Sequence, residues 1–124
     1  MTRKQKHFGE VLRKARLAKG YSLRKFAGKV GISPTYLSLV EQGKVESPPT
    51  ADRVKQIAEL LDRNSDEWIA LACRVPGDLP EIIQQQPTEM PELLREASGL
   101  TAEQLRKVTD QIRKLKSKLK DEDE

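Results

Sequence analysis

Residues 33–43 carry side chains that could read the edges of nucleic acid bases. The stretch is predicted to be helical, and successive helical residues turn by about 100°. If Leu37 points to the protein interior, four side chains point outward: Thr35, Ser38, Leu39 and Gln42. Hydroxyl and amide groups match the donors and acceptors of base edges, and leucine can contact a thymine methyl. We therefore interpret this face as a base-reading surface.

Lys and Glu, which are common on ordinary surface helices, are absent from this outward face. We predict that Thr35, Ser38 and Leu39 contact bases, since these three offer two hydroxyls and an apolar group. Tyr36 lies on the flank of the face, where its hydroxyl could reach a phosphate. The alternative interpretation is an amphipathic helix with a weakly polar surface and no ligand.

The residues before this helix predict a second helix and a tight turn. Ser22 can cap a helix that reaches Val30, and Gly31 suits a left-handed turn residue. Ser33 followed by Pro34 is a helix-start signal, because proline is tolerated at the first helical position, where no N–H partner is needed. Two short helices joined by such a turn are typical of a chain that lays a helix in the DNA major groove.

Three further helices complete a small all-α domain. Apolar residues at helical spacing, the first of which is Phe8, predict a first helix that ends near Gly20. Thr50 is expected to cap a fourth helix and Ser65 a fifth, which would bury Trp68. Five short helices around one core predict a helix-turn-helix DNA-binding domain over residues 1–74.

Charge is unevenly distributed along the 124 residues, whose net charge is +4. Residues 1–74 carry nearly twice as many basic as acidic side chains, whereas acidic ones are in excess over 75–124. A charged stretch alone is often only a solvated surface. Together with the motif above, it predicts that the N-terminal half attracts DNA phosphates.

The C-terminal part has a different pattern. We predict a proline-interrupted linker with short helices over 75–100, one of them starting at Pro91, a C-terminal helix over 101–120 and a disordered acidic tail over 121–124. Thr101 and Gln104 form a capping box. Apolar residues then alternate steps of three and four, which is a coiled-coil seam: Leu105, Val108, Ile112, Leu115 and Leu119. We predict that this short C-terminal helical region mediates homodimerisation. The alternative is packing of the helix on its own domain.

Residues 8–72 resemble the Cro/C1-type (XRE) helix-turn-helix family, which includes the lambdoid phage repressors. The resemblance rests on several short motifs: Leu12 with Arg16, Phe26-Ala27, Gly31-Ile32-Ser33, Tyr36-Leu37-Ser38, Glu41-Gln42-Gly43, Ile57-Ala58 with Leu61, and Trp68. It implies a five-helix fold and a dimer that binds an operator of two-fold symmetry, usually as a repressor. It also implies a structural ion pair between Arg16 and Glu41, and contacts of Gln42 and Lys44 with the DNA backbone.

The chain departs from the family at two positions. Leu23 stands where the family often has a phosphate-contacting glutamine, so we expect backbone contacts from Ser22, Arg24 and Lys25 instead. Pro34 stands where the family often has a base-reading glutamine, which leaves base readout to the later residues of the helix. No Arg or Lys is present in this helix to pair with guanine. We therefore expect modest affinity for each half-site and a need for dimerisation.

The sequence offers little for catalysis, metal binding or a membrane. His7 is the only histidine and Cys73 the only cysteine. We expect His7 at the surface and Cys73 to be a small buried apolar residue. We predict no enzymatic activity, no metal and no cofactor. No apolar run approaches the roughly 18 residues of a membrane span, and the N-terminus lacks the apolar core of a signal peptide, so we expect a cytoplasmic protein.

Two alternatives involve a protein partner. Domains of this type also serve in antitoxins, whose C-terminal part binds a toxin while the DNA-binding part regulates its own operon. The layout is also similar to repressors of mobile elements and of stress or defence operons, some of which are inactivated through cleavage by a partner metallopeptidase. The neighbouring gene would distinguish these alternatives.

Overall fold

The computed structural model describes residues 3–122 and is helical in all its regular elements. The predicted all-α fold class is confirmed. Eight helices lie within the described range: α1 (Arg3–Ala18), α2 (Leu23–Val30), α3 (Pro34–Gln42), α4 (Ala51–Leu60), α5 (Ser65–Leu71), α6 (Leu79–Gln85), α7 (Glu89–Ala97) and α8 (Ala102–Glu122). No described helix is both long enough and apolar enough to cross a membrane.

The chain divides into two compact units, and the division falls between Glu81 and Ile82, within α6. The first unit contains α1 to α5. There α1 packs against α3 and α5, α2 against α3 and α4, and α4 against α5. The second unit contains α7 and α8, in which no described side chain is buried.

The first unit is held together by one apolar core. Its buried apolar side chains all come from α1 to α5 and the residues that directly follow α4 and α5: Phe8, Leu12, Ala15, Phe26, Ala27, Val30, Leu37, Val40, Val54, Ile57, Ala58, Leu61, Trp68, Ile69 and Ala72. The rings of Phe8 and Trp68 meet edge to face at 6.0 Å, which ties α1 to α5. The helical spacing of apolar residues in the sequence therefore identifies the buried faces correctly.

Hydroxyl side chains begin three of the helices as predicted. The Oγ atoms of Ser22 and Ser33 and the Oγ1 atom of Thr50 each accept a hydrogen bond from the backbone N–H three residues on. The prediction for α5 is wrong by one residue. Asn64, and not Ser65, is its N-cap, and the Asn64 side chain accepts from the Glu67 N–H at 2.8 Å. Both residue types are good caps, so sequence alone could not choose between them.

Left-handed residues follow each of the first five helices. Three are the glycines Gly20, Gly31 and Gly43, and the other two are Asp62 (φ 56°) and Cys73 (φ 61°). A hydrogen bond from Lys19 and the attraction of its charge lower the pKa of the Asp62 carboxyl. Cys73 is exposed, so the expectation that it is buried is wrong. The left-handed turn ends α5 before position 73 and directs this side chain to the surface.

Several predicted boundaries also differ from the observed ones. Helix α1 includes five residues before Phe8, the first residue of its apolar pattern, and α7 begins at Glu89 and not at Pro91. Polar residues can occupy a first helical turn without contributing to the apolar pattern, so the pattern misses such turns. The predicted disorder over 121–124 is wrong for Asp121 and Glu122, which belong to α8. No glycine or proline interrupts that helix, and residues 123–124 lie outside the described range.

Candidate nucleic-acid interface

Helix α3 has a buried side and an outward side. Leu37, Val40 and Glu41 are buried. Thr35 and Gln42 are exposed, Leu39 is 37% exposed, and Ser38 is half-buried. The outward side is thus uncharged and carries the three side chains predicted to contact bases.

A hydrogen bond organises two polar residues on this outward side. The Gln42 Nε2 atom donates to the Ser38 Oγ atom at 2.9 Å, one helical turn away. The Ser38 hydroxyl hydrogen and the Gln42 amide oxygen are not used in this bond. The pair can therefore present one donor and one acceptor to a ligand in a fixed relative position.

A buried ion pair joins α1 to α3 behind the outward side. The Arg16 guanidinium donates from Nε to Glu41 Oε2 at 2.8 Å and from Nη2 to Glu41 Oε1 at 3.0 Å. Its Nη1 atom donates to the Tyr21 carbonyl at 2.9 Å, in the turn before α2. The two side chains are 7% and 5% exposed. This two-point pairing fixes the orientation of α3 relative to α1 and α2.

Two glycines allow α1 and α3 to approach closely, a feature not predicted from the sequence. A Cβ atom added to Gly9 would lie 2.4 Å from the Glu41 carbonyl oxygen, and one added to Gly43 would lie 2.7 Å from the Lys6 Cα atom. Gly43 also has φ +70°. Only glycine fits such close backbone contacts. A glycine among apolar residues in a predicted helix is the signal that could have revealed the contact.

Helix α2 presents its N-terminal turn to solvent. The Ser22 Oγ atom accepts from the Lys25 N–H at 3.1 Å, so its hydroxyl hydrogen stays available to donate. Arg24 and Lys25 are exposed in the first turn, and Leu23 is half-buried. The backbone N–H groups of a helix N-terminus attract anions. This turn therefore combines two cationic side chains with a helix end suited to a phosphate.

Two arginines outside the helix-turn-helix donate hydrogen bonds to backbone carbonyls of neighbouring segments. Arg74 donates to the carbonyls of Pro48 and Pro49, at 2.7 and 3.1 Å, and so fixes the loop that follows exposed Lys44. Arg53 donates to the Val30 carbonyl at 2.8 Å, at the C-terminal end of α2. Neither role could be assigned from the sequence, because only the fold brings these arginines to the carbonyls.

The predicted dimerisation residues lie on α8. Four of them are exposed apolar side chains: Leu105, Ile112, Leu115 and Leu119. Val108, the fifth, is half-buried. The capping box is present at the start of the helix, where Gln104 N–H donates to Thr101 Oγ1 and Thr101 N–H to Gln104 Oε1. The N-terminus of the helix is therefore capped, and its apolar seam is largely exposed to solvent.

The arrangement of α2, turn and α3, with an exposed polar second helix, defines the class of helix-turn-helix proteins. The helix-turn-helix family model HTH_3 matches residues 12–68. Residues 12–68 therefore form a helix-turn-helix domain of the HTH_3 type, which is a DNA-binding domain of transcriptional regulators. No curated protein sequence matches the chain.

Solved structures similar to this chain include other gene regulators. The clp gene regulator ClgR of Corynebacterium glutamicum is 26% identical over 58% of this chain and 90% of its own, with a TM-score of 0.50. SinR, the master regulator for biofilm formation, in complex with DNA, is 27% identical over 50% of this chain and 97% of its own, with a TM-score of 0.45. The complex of SinR with SinI gives 28% identity over 89% and 98%, also with a TM-score of 0.45.

Proposed function

We propose that the protein is a sequence-specific transcriptional repressor that binds an inverted-repeat operator as a homodimer, with α3 in the major groove. The observation that carries the proposal is the uncharged outward side of α3, held in place from behind by the buried pair of Arg16 and Glu41. The hydroxyl and amide groups of this side can hydrogen-bond base edges, and Leu39 can contact a thymine methyl. Regulation of a mobile-element, phage, stress or defence operon in the cytoplasm would fit such a protein.

In this proposal, the two kinds of DNA contact come from different residues. Thr35, Ser38 and Leu39 contact bases and determine sequence preference. The phosphates are contacted by residues around the start of α2 and both ends of α3: Ser22, Arg24, Lys25, Tyr36, Gln42 and Lys44. Phosphate contacts supply most of the affinity and little of the specificity.

Dimerisation in this proposal uses the α8 seam. Leu115 and Leu119 are more than half exposed, at 59% and 54%. A second copy of α8 can cover this seam in a two-stranded coiled coil. Two linked α3 helices then bind two half-sites about one helical turn apart.

Selection of bound DNA from a random duplex pool, with the full-length protein, tests the proposal. We expect an enriched inverted repeat with half-sites about 10 base pairs apart. A reporter placed behind that repeat should be repressed when the protein is co-expressed. Salt-sensitive binding without an enriched sequence would contradict sequence-specific recognition. A partner-protein role for the C-terminal region would then become the leading hypothesis.

Substitutions separate the two kinds of DNA interaction. We expect Thr35→Ala combined with Ser38→Ala to reduce the preference for operator over scrambled DNA, by about 1–3 kcal/mol for each base that is no longer read. Arg24→Ala should weaken binding to both DNAs equally, because phosphates are the same in every sequence. Titrations of the two DNAs with each variant measure both effects. The opposite ranking of the variants would contradict the assignment.

A further inference from the structure

A basic cleft lies beside α3, between its C-terminal end and α1. Four cationic side chains line this cleft of about 600 Å³: Arg3, Lys6, Arg13 and Lys44. Gln42, from the outward side of α3, lines it as well. The basic cleft therefore adjoins the surface that we propose to read bases, and three of its four cations come from α1.

Arg13 also borders a second, smaller cleft. This cavity of about 290 Å³ is lined by Arg13 and, among others, by Leu23, Ser38 and Gln42. Arg13 thus stands where α1, the first residue of α2 and the outward side of α3 meet. Leu23 has no polar group for a phosphate at this position, whereas the guanidinium of Arg13 has several N–H donors.

The carboxylates that line the basic cleft do not balance its four cationic side chains. Glu41 lines it but is engaged by both nitrogens of the Arg16 fork. Glu10 is the other acidic lining residue. Within residues 3–122, neither Lys6 nor Arg13 lies within ion-pair distance of a carboxylate, and both side chains are exposed. The cleft therefore keeps an excess of positive charge that an anion can use.

We propose that the basic cleft binds the DNA backbone beside the base pairs read by α3, with Arg13 and Lys6 as phosphate-binding residues. This inference rests on the proposed DNA-reading function and adds α1 to its contact surface. Arg13 offers a fork that matches a phosphate, and Lys6 offers a compact charge about two turns earlier on the same face of α1.

The salt dependence of DNA binding tests this assignment. Each phosphate contact contributes about 0.9 to the slope of log affinity against log salt concentration. A dimer contains the cleft twice. Arg13→Gln or Lys6→Gln should therefore make the negative slope shallower by about 1.8 and weaken binding by about thirtyfold at 0.15 M salt. Operator and scrambled DNA should be affected by the same factor. Arg13→Lys should restore the slope, because it keeps the charge.

Lys14→Gln is the matched control. Lys14 is an exposed cation of the same helix, but it lines a different cavity with Asn64 and Trp68. This variant should keep the wild-type slope. Thermal unfolding of all variants, monitored by the buried Trp68, checks that each is folded. Since Lys6 and Arg13 are exposed, we expect unchanged midpoints.

Three results would overturn the assignment. If Arg13→Gln and Lys6→Gln keep the slope of Lys14→Gln while the wild type selects an operator, α1 does not contact phosphates, although the proposed function stands. If Arg13→Gln changes the selected sequence, Arg13 reads a base and not the backbone. If the wild-type protein shows no salt-dependent DNA binding, the proposed function and this inference are both wrong.

Discussion

The two units of the chain differ in how far their apolar side chains are buried. In the first unit, helices of 7 to 16 residues enclose a core with Leu12, Phe26 and Leu37 completely buried. In the second unit, α8 is the longest described helix, yet Ile112, Leu115 and Leu119 are 41–59% exposed. Most apolar side chains of the first unit are thus buried in its own core, whereas no described side chain of α7 or α8 is buried.

This difference indicates where each unit obtains its stability. Isolated helices are marginal in water, and most helical stability in proteins comes from packing of an apolar face. The seam of α8 repeats at coiled-coil spacing over little more than two heptads, which suits one partner helix. We propose that the first unit holds the orientation of α3 and that the second unit associates with another helix. Variants of each unit can separate these two roles.

Removal of α8 should abolish dimerisation, and operator binding should weaken only because the dimer is lost. A chain that ends at Leu100 should be monomeric and should bind the operator at least about a hundredfold more weakly, since two linked half-site contacts become one. Light scattering measures the mass, and titration of the operator measures the affinity. The unfolding transition reported by Trp68 should stay where it is in the full-length protein.

A truncated chain that stays dimeric would contradict the assignment of dimerisation to the second unit. The dimer interface would then lie in the first unit, and the α8 seam would need another explanation. Ile112→Asp in the full-length chain gives an independent test, because it places a charge in the middle of the seam without removing any residue. It should reproduce the monomer. Lys114→Asp, two residues away and outside the predicted seam, is the matched control.

Substitution of the buried ion pair should affect the first unit alone. Arg16→Met leaves the buried Glu41 carboxylate without its two hydrogen bonds, so we expect a loss of about 3–5 kcal/mol in the free energy of unfolding. Arg16→Met combined with Glu41→Leu should cost much less, because no unpaired charge stays buried. Denaturant unfolding monitored by Trp68 measures both. Equal losses in the single and double variants would show that the charges matter less than the packing.

Most of the first unit could be predicted because its signals are local. The helix caps Ser22, Ser33 and Thr50 act on N–H groups three residues away, and Gly31 adopts the expected left-handed conformation. Apolar spacing likewise identifies the buried side of α3. Such rules depend on neighbours in sequence, so a single chain is enough to apply them.

What the sequence did not predict depends on contacts between distant residues. Arg74 reaches the carbonyls of Pro48 and Pro49 across the fold, and Gly9 lies against the backbone of Glu41. In the sequence, Arg13 has no feature that distinguishes it from other surface residues of α1. Only the fold shows that it lines the same cavity as Ser38. The roles of these residues follow from packing geometry and could not be deduced from their local sequence.

Two helical glycines provide a smaller test of the first unit. Gly9→Ala should destabilise the protein by about 1–3 kcal/mol, because its Cβ would collide with the backbone of α3, which cannot move freely. Gly28, in the middle of α2, has no atom within 4 Å of an added Cβ. Gly28→Ala should stabilise the protein by about 0.5–1 kcal/mol, as expected for an open helical site. Denaturant unfolding measures both changes. If both variants gain stability, α1 and α3 are not close enough for a Cβ atom at position 9 to collide with the backbone of α3.

The smallest expected effect concerns the turn after α5, near the end of the first unit. Cys73 has a β-carbon at φ 61°, a conformation that glycine adopts without strain. Its N–H donates to the Ala70 carbonyl, and the Arg74 N–H to that of Ile69, so the turn fixes the backbone that leads to Arg74. Cys73→Gly should therefore raise the free energy of unfolding by about 0.5–1 kcal/mol, since the relief of strain exceeds the added freedom of the unfolded chain. Cys73→Ala removes the thiol and keeps the β-carbon, so its stability should match the wild type in the same denaturant titration. A gain in Cys73→Ala as large as in Cys73→Gly would assign the effect to the thiol, and the left-handed turn would then not be a source of strain.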